Sequence, residues 1–155
     1  MQIEPGSPRF TLRPAVQEDL EFVFKVTKAA MGPYVEATWG SWDDGVQRAR
    51  VAETFSVCTH QLVYVGKNLA GVLAVKHHPD HLRLLKVFLH PSFQSKGIGT
   101  MLVNRVIELA DREGLPVRLR ALRVNPAKSL YERLGFVVTH EEPERYFMER
   151  KPMAT

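Results

Sequence analysis

Thiol chemistry is nearly absent from this chain, whose 155 residues include one cysteine, Cys58. A single thiol excludes an intramolecular disulfide, and no Cys/His spacing suited to zinc occurs, so no metal is expected. No apolar run is long enough to cross a bilayer, which argues against a membrane partner. Residues 1–8, Met-Gln-Ile-Glu-Pro-Gly-Ser-Pro, have neither the basic start nor the apolar centre of a secretory signal. They read as a flexible leader, and the expected location is cytoplasmic. Charge of one sign is also scarce. Lys and Arg number 21 against 17 Asp and Glu, a formal net charge of +4. That balance argues against a disordered charged tail and against a polybasic arm for nucleic acid. With no repeat, low-complexity segment or internal boundary, residues 9–155 are expected to form one domain able to bury one core.

What the chain does have is residues 87–101, Val-Phe-Leu-His-Pro-Ser-Phe-Gln-Ser-Lys-Gly-Ile-Gly-Thr-Met. The stretch opens as an apolar strand, breaks at Pro91 and passes through a glycine-spaced loop into a helix. Beyond Gly99, apolar Met101, Leu102, Val106, Leu109 and Ala110 are interleaved with polar Asn104, Arg105, Glu108 and Asp111 at helical spacing. A loop feeding a helix N-terminus leaves backbone N–H groups without intrahelical partners. These donors, with the helix dipole, suit a phosphate or pyrophosphate. Gly97 and Gly99 would let the backbone approach the anion closely, and Lys96 would add a charge beside it. The same stretch also reads as an ordinary strand-to-helix turn. Two phosphate loops fail on spelling. The nucleotide-triphosphatase loop needs Gly-Lys followed by Ser or Thr, and Lys96 precedes its glycine. The dinucleotide fingerprint needs a third glycine where Leu102 stands. What remains, Gln94-x-x-Gly97-x-Gly99 after a strand, resembles the acetyl-CoA pyrophosphate loop of the GNAT superfamily of N-acetyltransferases.

A second block strengthens the resemblance. Asn125-Pro-Ala-Lys-Ser-Leu-Tyr131-Glu-Arg-Leu-Gly135-Phe136 follows a strand and is similar to the superfamily's other CoA-side motif, in the same order. Locally, Asn125 can cap a helix opened by Pro126. Ala127, Leu130, Tyr131 and Leu134 form an inward stripe, and Gly135 suits a left-handed C-cap. The likeness covers roughly residues 82–137. It implies an α/β (α+β) fold: a mixed, mostly antiparallel sheet with a central splayed parallel strand pair, flanked by helices. It assigns Phe88, Leu89, Gln94, Ser95, Lys96, Gly97, Ile98, Gly99 and Thr100, then Asn125, Lys128 and Tyr131, to acetyl-CoA as co-substrate.

The remaining elements follow from period and punctuation. Residues 9–13 alternate as a first strand closed by Pro14. Residues 17–31 read as a helix with Leu20, Val23, Phe24, Thr27 and Ala30 inward, broken at Gly32-Pro33. Ser41 with Asp44 resembles an N-cap arrangement for a second helix through about Phe55. Between the helices lie Tyr34, Glu36, Trp39 and Trp42, which the resemblance places on the acceptor side. As structural residues, the aromatics would fasten the helices to the sheet and Glu36 would be solvated. Residues 61–65 and 69–78 form a hairpin about Gly66-Lys67-Asn68, and 81–89 is the strand leading to the loop. Residues 117–124 make the next strand of a right-handed βαβ unit. Residues 136–139 and 146–149 close the sheet as an antiparallel pair.

The resemblance implies N-acetyl transfer from acetyl-CoA to a primary amine, of a small molecule or of a peptide, by direct attack in a ternary complex. Tyr131 would protonate the departing thiolate, and the Leu89 backbone N–H would meet the thioester oxygen. Asn125 would hold the pantetheine arm. The base stays open: many superfamily members carry a Glu on the strand before the loop, yet here that strand, residues 81–89, has no carboxylate. Glu36, His77, His78 or bound water are the candidates, though adjacent histidines before a turn are equally natural on a surface. A non-catalytic acyl-CoA-binding module is the alternative class, and a homodimer is compatible with either.

Overall fold

The structure, a computed structural model, describes residues 9–153; the expected leader, 1–8, lies outside them. Strand β1 (Thr11–Pro14) pairs only with β2 (His60–Val65), an edge position where Pro14 removes no required ladder donor. A 3-10 turn at Gln17–Asp19 leads into α1 (Leu20–Trp39), and α2 (Asp44–Thr54) follows. Then β2, β3 (Asn68–His78) and β4 (His81–Leu89) run as an antiparallel meander. Helix α3 (Ile98–Glu113) crosses to β5 (Val117–Leu122), and α4 (Ala127–Arg133) precedes β6 (Val137–Glu141) and β7 (Arg145–Arg150). One seven-stranded sheet results, in the order β1-β2-β3-β4-β5-β7-β6, so the final strand inserts beside β5.

Among the described residues only β4 and β5 are parallel, and they pair at Leu82↔Val117 and Arg83↔Arg118. Beyond that point the two strands diverge. On one face of the sheet, Leu82, Leu84, Leu89, Leu119 and Met148 pack beneath Leu102, Val103, Val106 and Ala110 of α3. On the other, Leu62 and Val72 pack against Val23, Phe24 and Val26 of α1 and Val51 of α2. Strand β4 changes face partway. Ala74 pairs with Lys86 while Val75 pairs with Leu84, so Leu85 is an extra residue, a β-bulge. Before the bulge Leu84 sits in the α3-side core, and after it Phe88 packs on the α1/α2 side.

Three expectations are corrected. Helix α1 does not break at Gly32-Pro33 but runs on to Trp39, with Pro33 inside it. Pro33 is exposed, so the carbonyl of Ala29 that loses its partner can turn to water, while Gly32 and Val35 are buried and hold the last turns to the sheet. The cap of α2 is Asp43, whose carboxylate accepts from Val46 N at 2.9 Å, while Asp44 accepts from Trp42 Nε1. On α3, Met101 and Leu109 are 36% and 40% exposed. The buried stripe is instead Ile98, Leu102, Val103, Val106, Ile107 and Ala110, a face one step round from the expected one.

Candidate active site

The divergence of β4 and β5 opens a cleft of about 490 Å³ between the two motif blocks. One end is the loop after β4. A 3-10 turn at Pro91–Phe93 and positive φ at Ser95 (62°) and Gly97 (81°) wind the chain into α3. Gln94 Nε2 donates to the Leu89 carbonyl at 2.9 Å, so this side chain braces the loop. No side chain caps α3, and its first intrahelical bond is Met101 N to the Gly97 carbonyl. The N–H groups of Ile98, Gly99 and Thr100 therefore lack intrahelical acceptors. A Cβ built on Gly99 meets nothing within 4 Å, so the helix start faces open space. The Ile98 side chain is core, and only its backbone is offered. Lys96 is exposed, its Nζ 5.9 Å from the Phe93 ring centroid.

The strand end beside this loop presents a backbone donor to the cleft. His90 N bonds the Ala70 carbonyl at 2.8 Å, on the β3 side. Successive backbone groups alternate sides, so the Leu89 N–H and carbonyl face the gap towards β5, where Gln94 meets the carbonyl. Gly71 makes this possible. Any Cβ there would overlap the Phe88 carbonyl oxygen and come within 2.9 Å of Leu89 Cδ2.

The second block lies across the gap. Asn125 Oδ1 accepts from Ala127 N at 2.9 Å, opening α4, and Nδ2 points to Met31 Sδ at 3.8 Å. Gly135 closes the helix at φ 96°. Tyr131 lines the cleft with its ring edge-on to Phe136, and burial pushes its phenol up to about 12. Its hydroxyl makes no hydrogen bond to another described residue. Lys128 lies over the Tyr146 ring and 3.6 Å from Glu132.

The acceptor candidates separate. Tyr34 lines the cleft, and Trp42 lines a neighbouring pocket of about 250 Å³ beneath α1 and α2. Glu36 and Trp39 line neither; Glu36 is exposed and Trp39 is 46% exposed beneath the Arg145 guanidinium. His77 pairs with Glu113 at 3.3 Å and His78 stacks on His81, both at the strand ends far from the loop.

Sequence reasoning missed the two buried polar residues, His60 (1% exposed) and Lys86 (9%). The bulge turns Lys86 to the α1/α2 side, where Nζ reaches His60 Nε2 and Thr54 Oγ1, each at 3.2 Å. No carboxylate of the described residues is paired with it. Burial lowers the Lys86 ammonium to about 8, and burial followed by the Lys86 charge lowers His60 to about 4. On the far side of the ring, the Ser56 backbone N–H donates to Nδ1 at 3.4 Å, and Thr59 Oγ1 lies 2.8 Å from the same nitrogen. With Nδ1 accepting, the neutral imidazole carries its proton on Nε2, facing Lys86 Nζ. Lys86 lines both the cleft and the smaller pocket. The one sequence signal was a charge inside an apolar strand.

Comparison with known proteins matches this architecture. The model of the Acetyltransferase (GNAT) family matches residues 23–136. A mycothiol acetyltransferase of Sanguibacter keddieii is 31% identical over 93 residues, 59% of this chain and 30% of that protein. An L-methionine sulfoximine/L-methionine sulfone acetyltransferase of Salmonella typhimurium is 38% identical over 60 residues, 37% of this chain and 35% of that protein. The chain thus spans about a third of the length of these two relatives. In fold, it is similar to the PaiA N-acetyltransferase of Thermoplasma acidophilum, solved in complex with coenzyme A, at a TM-score of 0.71 and 21% identity over 92% of this chain and 99% of that one. With most of its length under the family model and the two motif blocks facing each other across one cleft, the chain belongs to the GNAT acetyltransferase family.

Proposed function

We propose that the protein transfers the acetyl group of acetyl-CoA to a primary amine by direct attack within a ternary complex. One observation carries the reading: the cleft between diverging β4 and β5 ends at an uncapped helix start facing open space. The backbone N–H groups of residues 97–100 would receive the pyrophosphate, with Ser95 and Lys96 beside them. Asn125 and the strand edges would receive the pantetheine arm. The coenzyme A complex of the Thermoplasma relative supports this ligand.

Acetyl-CoA supplies the thioester, and the chain's own groups serve the steps around it. The Leu89 N–H points to where negative charge develops on the carbonyl oxygen, and such a donor is worth about 3 kcal/mol in acyl transfer. Tyr131 keeps its proton at neutral pH and offers it to the departing sulfur. An ordinary thiol has a pKa of ~8.5, so full transfer from this phenol is uphill, and its contribution is chiefly a hydrogen bond to the forming thiolate. Lys86, lowered to about 8, holds a neutral fraction near neutral pH and is the proposed proton acceptor on the strand that lacks a carboxylate.

Gly99→Asp tests the site, because its Cβ enters open space and only the added charge opposes the pyrophosphate. The variant should fold normally and lose acetyl-CoA binding by calorimetry, while Gly99→Ala retains it. Equal affinity in wild type and Gly99→Asp sinks the assignment. Release of free thiol with a panel of amines separates an enzyme from a module that only binds acyl-CoA.

A further inference from the structure

The pocket of about 250 Å³ beneath α1 and α2 has an unusual lining: Arg50, Arg83, Lys86 and Arg120 are its charged members, and among the described residues no Asp or Glu accompanies them. The guanidinium groups of Arg50, Arg83 and Arg120 make no hydrogen bond or ion pair with any described residue. Of the carboxylates on the adjoining strands and turn, Glu149 pairs with Arg118 at 2.8 Å, while Glu142 lies 3.8 Å from Arg145 and acts on Arg120 only through its charge. The clustering is also costly: burial first, then the charges of Arg83 and Arg145, disfavour the charged Arg120 guanidinium, with Glu142 opposing them in part. Leu85, Phe88 and Trp42 supply an apolar wall beside these cations. Arg120 and Lys86 line the cleft as well, so the pocket adjoins the place where the thioester would lie.

We infer that this pocket receives the amine acceptor and that the acceptor is a small amino-carboxylate, its carboxylate held by Arg83 and Arg120 and its apolar part against Trp42 and Phe88. The inference rests on the proposed transferase reading. Guanidinium pairs are suited to carboxylates because their planar N–H groups match the two oxygens. The same positive field has a second effect. A cationic surrounding disfavours the ammonium form of the acceptor, so the neutral nucleophile is more populated beside Lys86. A pocket of this sign would repel polyamines, whose every charge is positive.

The test compares matched acceptors: L-leucine with L-leucinamide, and 6-aminohexanoate with hexylamine. Acetyl transfer and calorimetric binding to coenzyme-A-loaded protein are both measured. At least one amino acid should exceed its partner without a carboxylate tenfold or more in kcat/KM. The Arg83→Gln/Arg120→Gln double variant should erase that preference through KM while its affinity for coenzyme A stays within about twofold. Equal use of the two members of each pair by the wild type overturns the inference, as does a double variant that retains the preference. If no amine is acetylated, the transferase reading fails, and calorimetry alone decides the pocket. Binding of an amino acid at least tenfold tighter than its partner without a carboxylate, lost in the double variant, supports the carboxylate site, and its absence overturns it.

Discussion

At the scale of single residues, Tyr131 is the sharpest case. Its ring packs on Phe136 while its hydroxyl faces the cleft without a protein partner. Tyr131→Phe therefore removes a group that the fold does not use. Turnover should fall by roughly tenfold or more, with acetyl-CoA affinity and stability little changed, since a hydrogen bond to a charged group is worth ~1.5–3 kcal/mol and water replaces part of it. Single-turnover acetylation checked against urea denaturation separates the roles. Wild-type turnover removes the acid role, and a joint loss of stability and turnover makes Tyr131 a packing residue. That Tyr131 and Asn125 fall together on the cleft was legible in the sequence, because each sits in a short motif whose local logic, a cap and an inward stripe, is complete within a few residues. Glu36 was not: two turns of helix beyond Pro33 set its direction, and they turn it outward.

At the scale of elements, the β3–β4 pair positions the chemistry. Gly71 lies against the Phe88 carbonyl and Leu89, at the strand end that presents the donor to the cleft. Gly71→Ala should push β4 away, destabilising the protein by about 2–4 kcal/mol and lowering kcat more than the population of folded protein explains. Thermal unfolding and kcat below the transition measure both. A variant with unchanged melting and unchanged kcat shows that the strands part freely there. The bulge at Leu85 belongs to the same pair and is invisible to periodicity. Residues 81–89 read as a continuous apolar strand, and only pairing with β3 shows that the faces switch midway.

At the scale of the whole molecule, the buried Lys86–His60 contact joins β4, β2 and the end of α2. It ties stability to pH in two windows. The folded-state pKa of Lys86 is about 8, below the unfolded 10.5, so the unfolded chain binds more protons between those values. Stability should rise with pH from 8 to 10.5, and the whole penalty, on the order of 3 kcal/mol, is present below 8. His60, lowered from 6.5 to about 4, should cost stability as pH falls through that interval. Lys86→Met should be more stable than wild type at pH 7, lose the alkaline rise, and lose turnover if the amine is the proton acceptor. Urea titrations at pH 7 and 10.5 beside a pH–rate profile measure this. A variant less stable at pH 7 shows that Lys86 is held by its hydrogen bonds rather than tolerated.

The sequence by itself determined what is set locally. It specified the loop 94–100, the Asn125-Pro126 helix start, the Gly66 hairpin and the order of strands and helices. Each depends on backbone preferences and capping within a few residues. The family likeness followed from the same short blocks. Only the tertiary structure decided which residues share the pocket beneath α1 and α2. Lys86 meets His60 across 26 positions, and Arg83 joins Arg120 across two strands that do not touch in sequence. Such meetings depend on register, and in a sheet of period two a single extra residue sends every later side chain to the opposite face.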